Sequence, residues 1–319
     1  MRILIVGATG FVGGHMIREC EARGDAWAGT YRPGEPVPSA DAPWFPLDLL
    51  EPDSIRHAFD AFRPEGIVHL AGQANVSRAQ HAPIEAFRVN AEGTLHVLDG
   101  LRTVIPSARA VVVTSAEVYG AVPPARLPVD EDQELAPGTP YGASKAAADI
   151  VAGQAARGWG LHVVRMRPFN HVGPGQRLGF VAPDFASQVA RIERGAAEPV
   201  MRVGNLSARR DFTDVRDIVR GYRNALDDGR AGAAYNLCRG ESTPIEDILR
   251  FFVSRSRVPI EVRRDESRVR PVDVPEFRGD PSRARRELGW AARRPLHESL
   301  DEVLEEWRAA PVWATDLAD

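Results

Sequence analysis

Arg2-Ile3-Leu4-Ile5-Val6-Gly7-Ala8-Thr9-Gly10-Phe11-Val12-Gly13 passes straight from an unbroken apolar run into three glycines. Ile3 to Val6 reads as a short central strand of a parallel sheet, buried on both faces. The glycines let the backbone turn tightly and approach a pyrophosphate at the N-terminus of a helix running to about Glu21. Their spacing, Gly-x-x-Gly-x-x-Gly, is one residue longer at its start than the usual dinucleotide fingerprint. A glycine turn between strand and helix can be purely structural; directly after four apolar residues it predicts a bound dinucleotide.

The pattern repeats outward from there. Ala26 to Tyr31 reads as a second strand, and Pro46-Leu47-Asp48-Leu49 as a third that ends at Asp48. Gly66-Ile67-Val68-His69-Leu70-Ala71-Gly72 reads as a fourth, meeting small residues that would let a cofactor lie against the backbone. Ala110 to Val113 and Leu161 to Arg167 continue the series, and helical spacing fills the gaps at Ser54 to Phe62 and Pro83 to Leu101. Alternating strands and helices predict an α/β, Rossmann-type doubly wound parallel sheet, with ligands at the carboxyl ends of its strands. From Gly179 the pattern changes to a smaller C-terminal α/β substrate domain. Its helices are expected at Phe180 to Arg194, Pro244 to Phe252 and Leu296 to Trp307, with a strand at Val200 to Val203. The helix at Val215 to Leu226 and the strand at Ala234 to Leu237 return to the larger unit.

The second strand ends in Thr30, Tyr31 and Arg32. An NAD enzyme usually carries an acidic residue there for the ribose 2′-hydroxyl. Arg32 can instead pair with a 2′-phosphate, which favours NADP(H) over NAD; the alternative is a solvated loop arginine. The residues expected to face the dinucleotide are Gly7, Thr9, Gly10, Phe11, Val12 and Gly13, then Arg32, Asp48, Leu49, Leu70, Ala71 and Gly72. Asn90, inside a helix, is expected to support the active-site Lys145 through backbone or water contacts, and Asn90, Tyr141 and Lys145 are counted with the cofactor-binding residues. His69 reads as a packed strand histidine.

Thr114-Ser115-Ala116-Glu117-Val118-Tyr119-Gly120 and Pro140-Tyr141-Gly142-Ala143-Ser144-Lys145 carry the chemistry. Tyr141 and Lys145 are i and i+4, so on a helix both face one way. A phenol titrates near 10, and a nearby ammonium is expected to lower that value. Ser115 can hydrogen-bond the oxygen that gains or loses a proton. The set suits hydride transfer to or from a carbonyl, with Tyr141 as acid or base. Tyr-x-x-x-Lys alone is common on exposed helices; its place after a Ser-ended strand and a glycine turn favours the functional reading. The Pro-rich, acidic stretch Val122 to Pro140 is expected to border the substrate.

At 319 residues, 44% apolar and 26% charged, the composition is that of an ordinary globular protein, and a net charge of −4 argues against nucleic acid as the main partner. Cys20 and Cys238 make neither a disulfide framework nor a metal-binding pattern, and both are expected to be buried. No apolar run is long enough to span a bilayer and no signal-like segment is evident, so a cytoplasmic, non-membrane protein is expected.

These residues resemble an extended short-chain dehydrogenase/reductase acting on nucleotide sugars. Within that family the chain is most similar to the group of GDP-mannose 4,6-dehydratases and GDP-4-keto-6-deoxy-D-mannose reductases. Besides Gly7-x-x-Gly10-x-x-Gly13, Ser115 and Tyr141-x-x-x-Lys145, the resemblance is carried by residues 167–176, 204–212 and 279–290. It implies a dinucleotide-binding domain of residues 1–167 plus about 211–238. It also implies a nucleotide-sugar-binding domain of 168–210 plus about 239–310. Asn170, Arg210 and Arg270 would contact the diphosphate, and Phe180 and Val181 would lie near the guanine. A homodimer is implied through the Pro83–Leu101 and Tyr141–Arg157 helices, with a tetramer left open.

Two reactions then divide on one triplet. The family's dehydratases carry Thr-Asp-Glu or Thr-Ser-Glu, where this chain has Ser115-Ala116-Glu117. The base position is kept, but the acid position is a methyl. Reduction of the C4 ketone of a GDP-4-keto-6-deoxyhexose, giving a GDP-6-deoxyhexose such as GDP-D-rhamnose, needs only one hydride and one proton. That reading is preferred. GDP-mannose 4,6-dehydration with Glu117 as base remains the alternative, and a non-catalytic dinucleotide sensor the third.

Overall fold

The computed structural model describes residues 1–39, 42–266 and 274–310. Its larger unit is a seven-stranded, all-parallel sheet. Along the chain run β1 (Arg2–Val6), α1 (Phe11–Ala22), β2 (Ala26–Tyr31), β3 (Trp44–Pro46), α2 (Pro52–Phe62) and β4 (Gly66–His69). The short helices α3 (Val76–His81) and α4 (Pro83–Phe87) precede a π-helical turn at Arg88–Glu92 and α5 (Gly93–Val104). Then come β5 (Arg109–Val113), α6 (Pro140–Trp159), β6 (Val163–Pro168) and β7 (Asn170–Val172).

The remainder comprises α7 (Val181–Glu193), β8 (Val200–Val203), β9 (Arg209–Arg210), β10 (Phe212–Asp214), α8 (Val215–Asp228), β11 (Ala234–Leu237), β12 (Thr243–Pro244), α9 (Ile245–Arg255), β13 (Glu261–Arg264), β14 (Glu276–Phe277), α10 (Ser282–Leu288) and α11 (Leu296–Ala309).

The large sheet has the order β11-β6-β5-β4-β1-β2-β3, and both faces are covered, as the near-continuous apolar strands require. Leu4, Val6, Ile67, Ala110 and Val112 pack on one side against Ile55 and Phe59 of α2, Leu98 and Leu101 of α5 and Ala152 of α6. Ile3, Ile5, Val68, Val111 and Val164 pack on the other against Met16 and Cys20 of α1, Ile218 and Tyr222 of α8 and Leu288 of α10. The order turns back between β1 and β4, which opens a crevice at the strands' carboxyl ends.

A separate apolar cluster joins Phe185 and Val189 of α7, Met201 of β8, Ile248 and Phe252 of α9, and Leu300 and Val303 of α11. Cys20 and Cys238 are buried free thiols. Several element ends differ from the sequence reading by one to three residues, and two differences bear on the site. The third strand is Trp44–Pro46, because Asp48 sits in a turn in which its carboxylate accepts the Leu50 N–H and its own N–H donates to Ser54 Oγ. The stretch from Pro83 to Leu101 is broken by the π-helical turn that contains Asn90.

Candidate active site

One cavity of about 1640 Å³ lies across the carboxyl ends of the large sheet and reaches α7 and β8. Its lining gathers nearly every predicted site residue: Gly7, Thr9, Gly10, Phe11, Val12 and Gly13; Arg32, Asp48 and Leu49; Leu70, Ala71 and Gly72; Ser115, Glu117, Tyr141 and Lys145; and Asn170, Phe180, Val181 and Arg210. Arg270 lies outside the described residues. No residue of 122–140 lines the cavity; that loop instead packs Val122, Leu127 and Val129 into a cluster with Phe169, Cys238 and Phe277.

The glycine turn is built for close approach. Gly7 has φ +89°, and a Cβ there would stand 2.6 Å from the Ala71 nitrogen. A Cβ on Gly13 would stand 2.3 Å from the Ala8 carbonyl oxygen, so α1 can start this close to β1 only with glycine. The Gly7 N–H donates to Thr30 Oγ1 at 2.9 Å, tying the turn to β2. Helix α1 has no side-chain cap and no acidic residue in its first turn. Its first N–H groups, which have no intrahelical partner, therefore face the cavity free of side-chain competition, as an anionic pyrophosphate requires. The residues present thus fit a dinucleotide.

Asn90 is placed behind the wall rather than on it. Its Oδ1 accepts the Gln73 N–H at 2.8 Å, and its Nδ2 donates to the Gln73 carbonyl and to Ser144 Oγ at 3.0 and 2.9 Å. Ser144 Oγ in turn donates to the Tyr141 carbonyl. Asn90 therefore joins the segment after β4 to the first turn of α6, and a Cβ on Gly72 would meet its Oδ1 at 2.7 Å. The sequence reading expected Asn90 to support Lys145 and to belong with the cofactor-binding residues; its hydrogen bonds run instead to Gln73 and Ser144, and it does not line the cavity. The π-helical turn, a device often found at functional sites, presents this side chain.

Helix α6 starts at Pro140, capped by Thr139, whose Oγ1 accepts the Gly142 N–H at 3.0 Å. The cap and the proline fix the first turn, and with it Tyr141. Lys145 Nζ donates to the Val113 carbonyl at 3.0 Å, so the ammonium is held at the end of β5 beside Ser115. Both side chains are buried. Burial pushes the Tyr141 phenol up to about 12, Ser115's hydrogen bond counters in part, and the Glu117 carboxylate adds to the rise. Burial brings Lys145 down to about 8. The expected lowering of Tyr141 by Lys145 has no counterpart in the cofactor-free site: the phenol responds to its burial, to Ser115 and to Glu117, and burial, the largest of these, raises it. His69 is buried, its Nε2 pairs with Thr94 Oγ1 at 3.1 Å, and burial lowers it to about 3, in keeping with a packed neutral imidazole.

On the far side of the cavity, Arg177, Arg202 and Arg210 concentrate positive charge. Nη1 of Arg210 donates to the carbonyls of Val274 and Arg209 at 2.7 and 2.9 Å, which fixes the guanidinium. His171, not singled out from sequence, stacks on Phe11 with ring centroids 6.1 Å apart and joins β7 to α1. Tyr222 of α8 also lines the cavity, and no motif marked it.

A glycine-turn dinucleotide cradle beside a Ser-Tyr-Lys set, with cationic groups opposite, is the arrangement of an extended short-chain dehydrogenase/reductase. Residues 4–303 match the family described as GDP-mannose 4,6 dehydratase, and the chain belongs to it. It is 34% identical over 308 residues to the GDP-6-deoxy-D-mannose reductase of Pseudomonas aeruginosa, with 97% of each chain covered. The solved structure of RMD from Pseudomonas aeruginosa complexed with NADPH matches with a TM-score of 0.86 at 33% identity, covering 97% of this chain and 99% of that one. UDP-glucose 4-epimerase of Thermus thermophilus, solved with NAD, matches at 26% identity with a TM-score of 0.87, covering 98% of this chain and 100% of that one. The protein is an NAD(P)-dependent oxidoreductase, and its cofactor is a nicotinamide dinucleotide.

Proposed function

We propose that the protein is an NADPH-dependent reductase of a GDP-4-keto-6-deoxyhexose, forming a GDP-6-deoxyhexose such as GDP-D-rhamnose. The observation that carries the reading is Ala116, buried between Ser115 and Glu117. A 4,6-dehydratase must expel the C6 hydroxyl, and a methyl cannot donate the proton that makes it a leaving group. Reduction at C4 has no such step. The Pseudomonas aeruginosa reductase, similar over nearly the whole chain, adds weight.

Bound at the glycine turn, the reduced dinucleotide supplies the hydride. Ser115 holds the C4 oxygen in this reading, and Tyr141 transfers its proton to that oxygen as the ketone becomes an alcohol. The Lys145 ammonium, one helical turn on, offsets the phenolate charge left behind. Arg32 pairs with the 2′-phosphate of NADPH. Arg210 and Asn170 take the diphosphate of the sugar nucleotide, with Phe180 and Val181 beside its base; a guanidinium matches phosphate oxygens in a two-pronged way. The Rossmann unit thus holds the dinucleotide, and the α7, α9 and α11 cluster holds the sugar nucleotide.

Two incubations test this: GDP-mannose with catalytic NADP, and GDP-4-keto-6-deoxymannose with excess NADPH. NADPH loss and a new 6-deoxy sugar in the second alone is the expected result. A 4-keto sugar in the first would replace the reductase by a dehydratase with Glu117 as base.

Among the described residues no helix is long and apolar enough to cross a membrane, and the proposed location is the cytoplasm. A homodimer through α4, α5 and α6 is supported by Ile84, Phe87, Leu95 and Ile150, which stand 77%, 50%, 38% and 57% exposed on those helices. Light scattering is expected to give twice the chain mass, falling to one in an Ile84→Asp, Ile150→Asp variant. A wild-type monomer would remove the dimer.

A further inference from the structure

Tyr222 stands out among the buried polar groups. Its side chain is 0% exposed, yet the residue forms part of the cavity's wall, and its hydroxyl has no hydrogen-bond partner. The ring packs on the α8 side of the sheet, in the cluster that contains Ile3, Ile5, Val111 and Met166. A phenylalanine would fill that cluster equally well and leave no polar atom unsatisfied. The residue shares the cavity wall with Tyr141, whose phenol acts electrostatically on the Tyr222 hydroxyl alongside the larger effect of burial. Buried tyrosine hydroxyls usually find a partner, and one that lacks a partner at a ligand cavity is poised for a partner on the ligand.

The cavity fixes which part of the dinucleotide that is. The glycine turn and the start of α1 accept the pyrophosphate; Arg32 and Asp48 stand on the β2–β3 side; Tyr141 and Lys145 stand on the β5 side. The ring that reacts must lie on the Tyr141 side, and a nicotinamide carries one hydrogen-bonding substituent, its carboxamide. We propose that the Tyr222 hydroxyl hydrogen-bonds the nicotinamide carboxamide and so positions the ring with one fixed face toward Tyr141. Tyr222 is then a cofactor-positioning residue, reached from beneath the sheet and not from the substrate side. The proposal rests on the reading that places the reactive ring beside Tyr141.

Tyr222→Phe is the test, because it keeps the ring and removes one oxygen. Binding is read by fluorescence titration with NADPH and, separately, with 2′-phospho-ADP-ribose, which has the pyrophosphate and adenosine but no nicotinamide. The expected result is an NADPH dissociation constant raised about tenfold, with 2′-phospho-ADP-ribose binding unchanged. The cofactor-free variant is expected to melt no lower than the wild type. Transfer from C4-deuterated NADPH should lose part of its stereospecificity, an effect that a purely structural role would not produce. Unchanged NADPH affinity, equal losses for both ligands, or a lower melting temperature with unchanged affinity would each overturn the proposal. If the reading that places the reactive ring beside Tyr141 were at fault, the wild type itself would bind both ligands equally well; if the cavity took no dinucleotide, it would bind neither.

Discussion

Asp149 and Arg167 form a buried two-pronged ion pair, with the guanidinium Nε and Nη2 each donating to one carboxylate oxygen at 2.8 Å. Asp149 also accepts from Arg165 Nη1 at 2.6 Å and from Thr114 Oγ1 at 3.2 Å. Burial alone would push its carboxyl up, but Arg167 and Arg165 hold it below the usual carboxylate range. Asp149 lies four residues beyond Lys145 and eight beyond Tyr141, on the same stripe of α6. The pair therefore clamps α6 to the ends of β5 and β6 and sets where Tyr141 and Lys145 stand relative to Ser115.

Breaking that pair leaves Arg167 buried without its counter-charge. Asp149→Asn is expected to cost about 3–5 kcal/mol in urea unfolding. Replacing both partners, by Asp149→Leu with Arg167→Met, should cost less than Asp149→Leu alone. A loss below about 1 kcal/mol for Asp149→Asn would show that water or a shifted arginine compensates.

Lys145 gives the cofactor-free protein a pH signature. Its folded value is about 8 against an ordinary 10.5, lowered by burial. Between those two values the unfolded chain holds a proton that the folded chain has released. Stability therefore rises with pH across that window, by up to about 3 kcal/mol, and the cost of burying the ammonium is present in full below pH 8. The difference in unfolding free energy between wild type and Lys145→Met should grow in favour of the wild type from pH 7.5 to 10. A flat difference would mean that the ammonium is solvated in the folded chain.

Continuous apolar strands made the parallel sheet legible, and the glycine turn with Tyr-x-x-x-Lys made the centre of the site legible, because both are local patterns with one physical solution. What escaped depended on partners distant in sequence. Helix α3 has only Val76 and Ala79 as apolar residues, and its start is fixed by the Asn75 side chain accepting the Arg78 N–H at 2.9 Å. The loop 122–140 turned away from the cavity because Val129 and Glu131 are drawn to residues over 100 positions on: Val129 bridges to Gly279, and a Glu131 carboxylate oxygen accepts the Asn236 N–H. The direction of the Tyr141 shift was missed for a related reason: spacing shows that an ammonium is near but not how deeply the phenol is buried. Tyr222 carried no signal, since only the packed sheet tells which end of that helix face reaches a cavity.

Arg32 stands at the end of β2 on the cavity wall. If it pairs with the 2′-phosphate, Arg32→Ala should lower kcat/KM for NADPH by roughly 10–100-fold, the worth of a charge-assisted hydrogen bond, and leave NADH within about threefold. Steady-state rates with the two cofactors decide it. Equal losses for both would assign Arg32 to the fold or to the shared part of the dinucleotide.

Tyr141 and Glu117 separate the two candidate reactions. Tyr141→Phe removes the proton donor in either case and should lower turnover by about 10²–10⁴-fold with little change in sugar-nucleotide binding. Glu117→Gln discriminates. A C5 base cannot be replaced by an amide, so a dehydratase would lose a comparable factor. In a reductase the carboxylate takes no proton from the sugar, and it raises the neighbouring phenol. Its removal should leave turnover within about tenfold and move the Tyr141 titration to lower pH, since one negative charge beside the phenol is gone. Measured as the pH profile of kcat for ketone reduction, the basic limb should therefore shift downward in Glu117→Gln. An unshifted limb together with a large loss of turnover would place Glu117 in the chemistry and count against the role that Ala116 suggests.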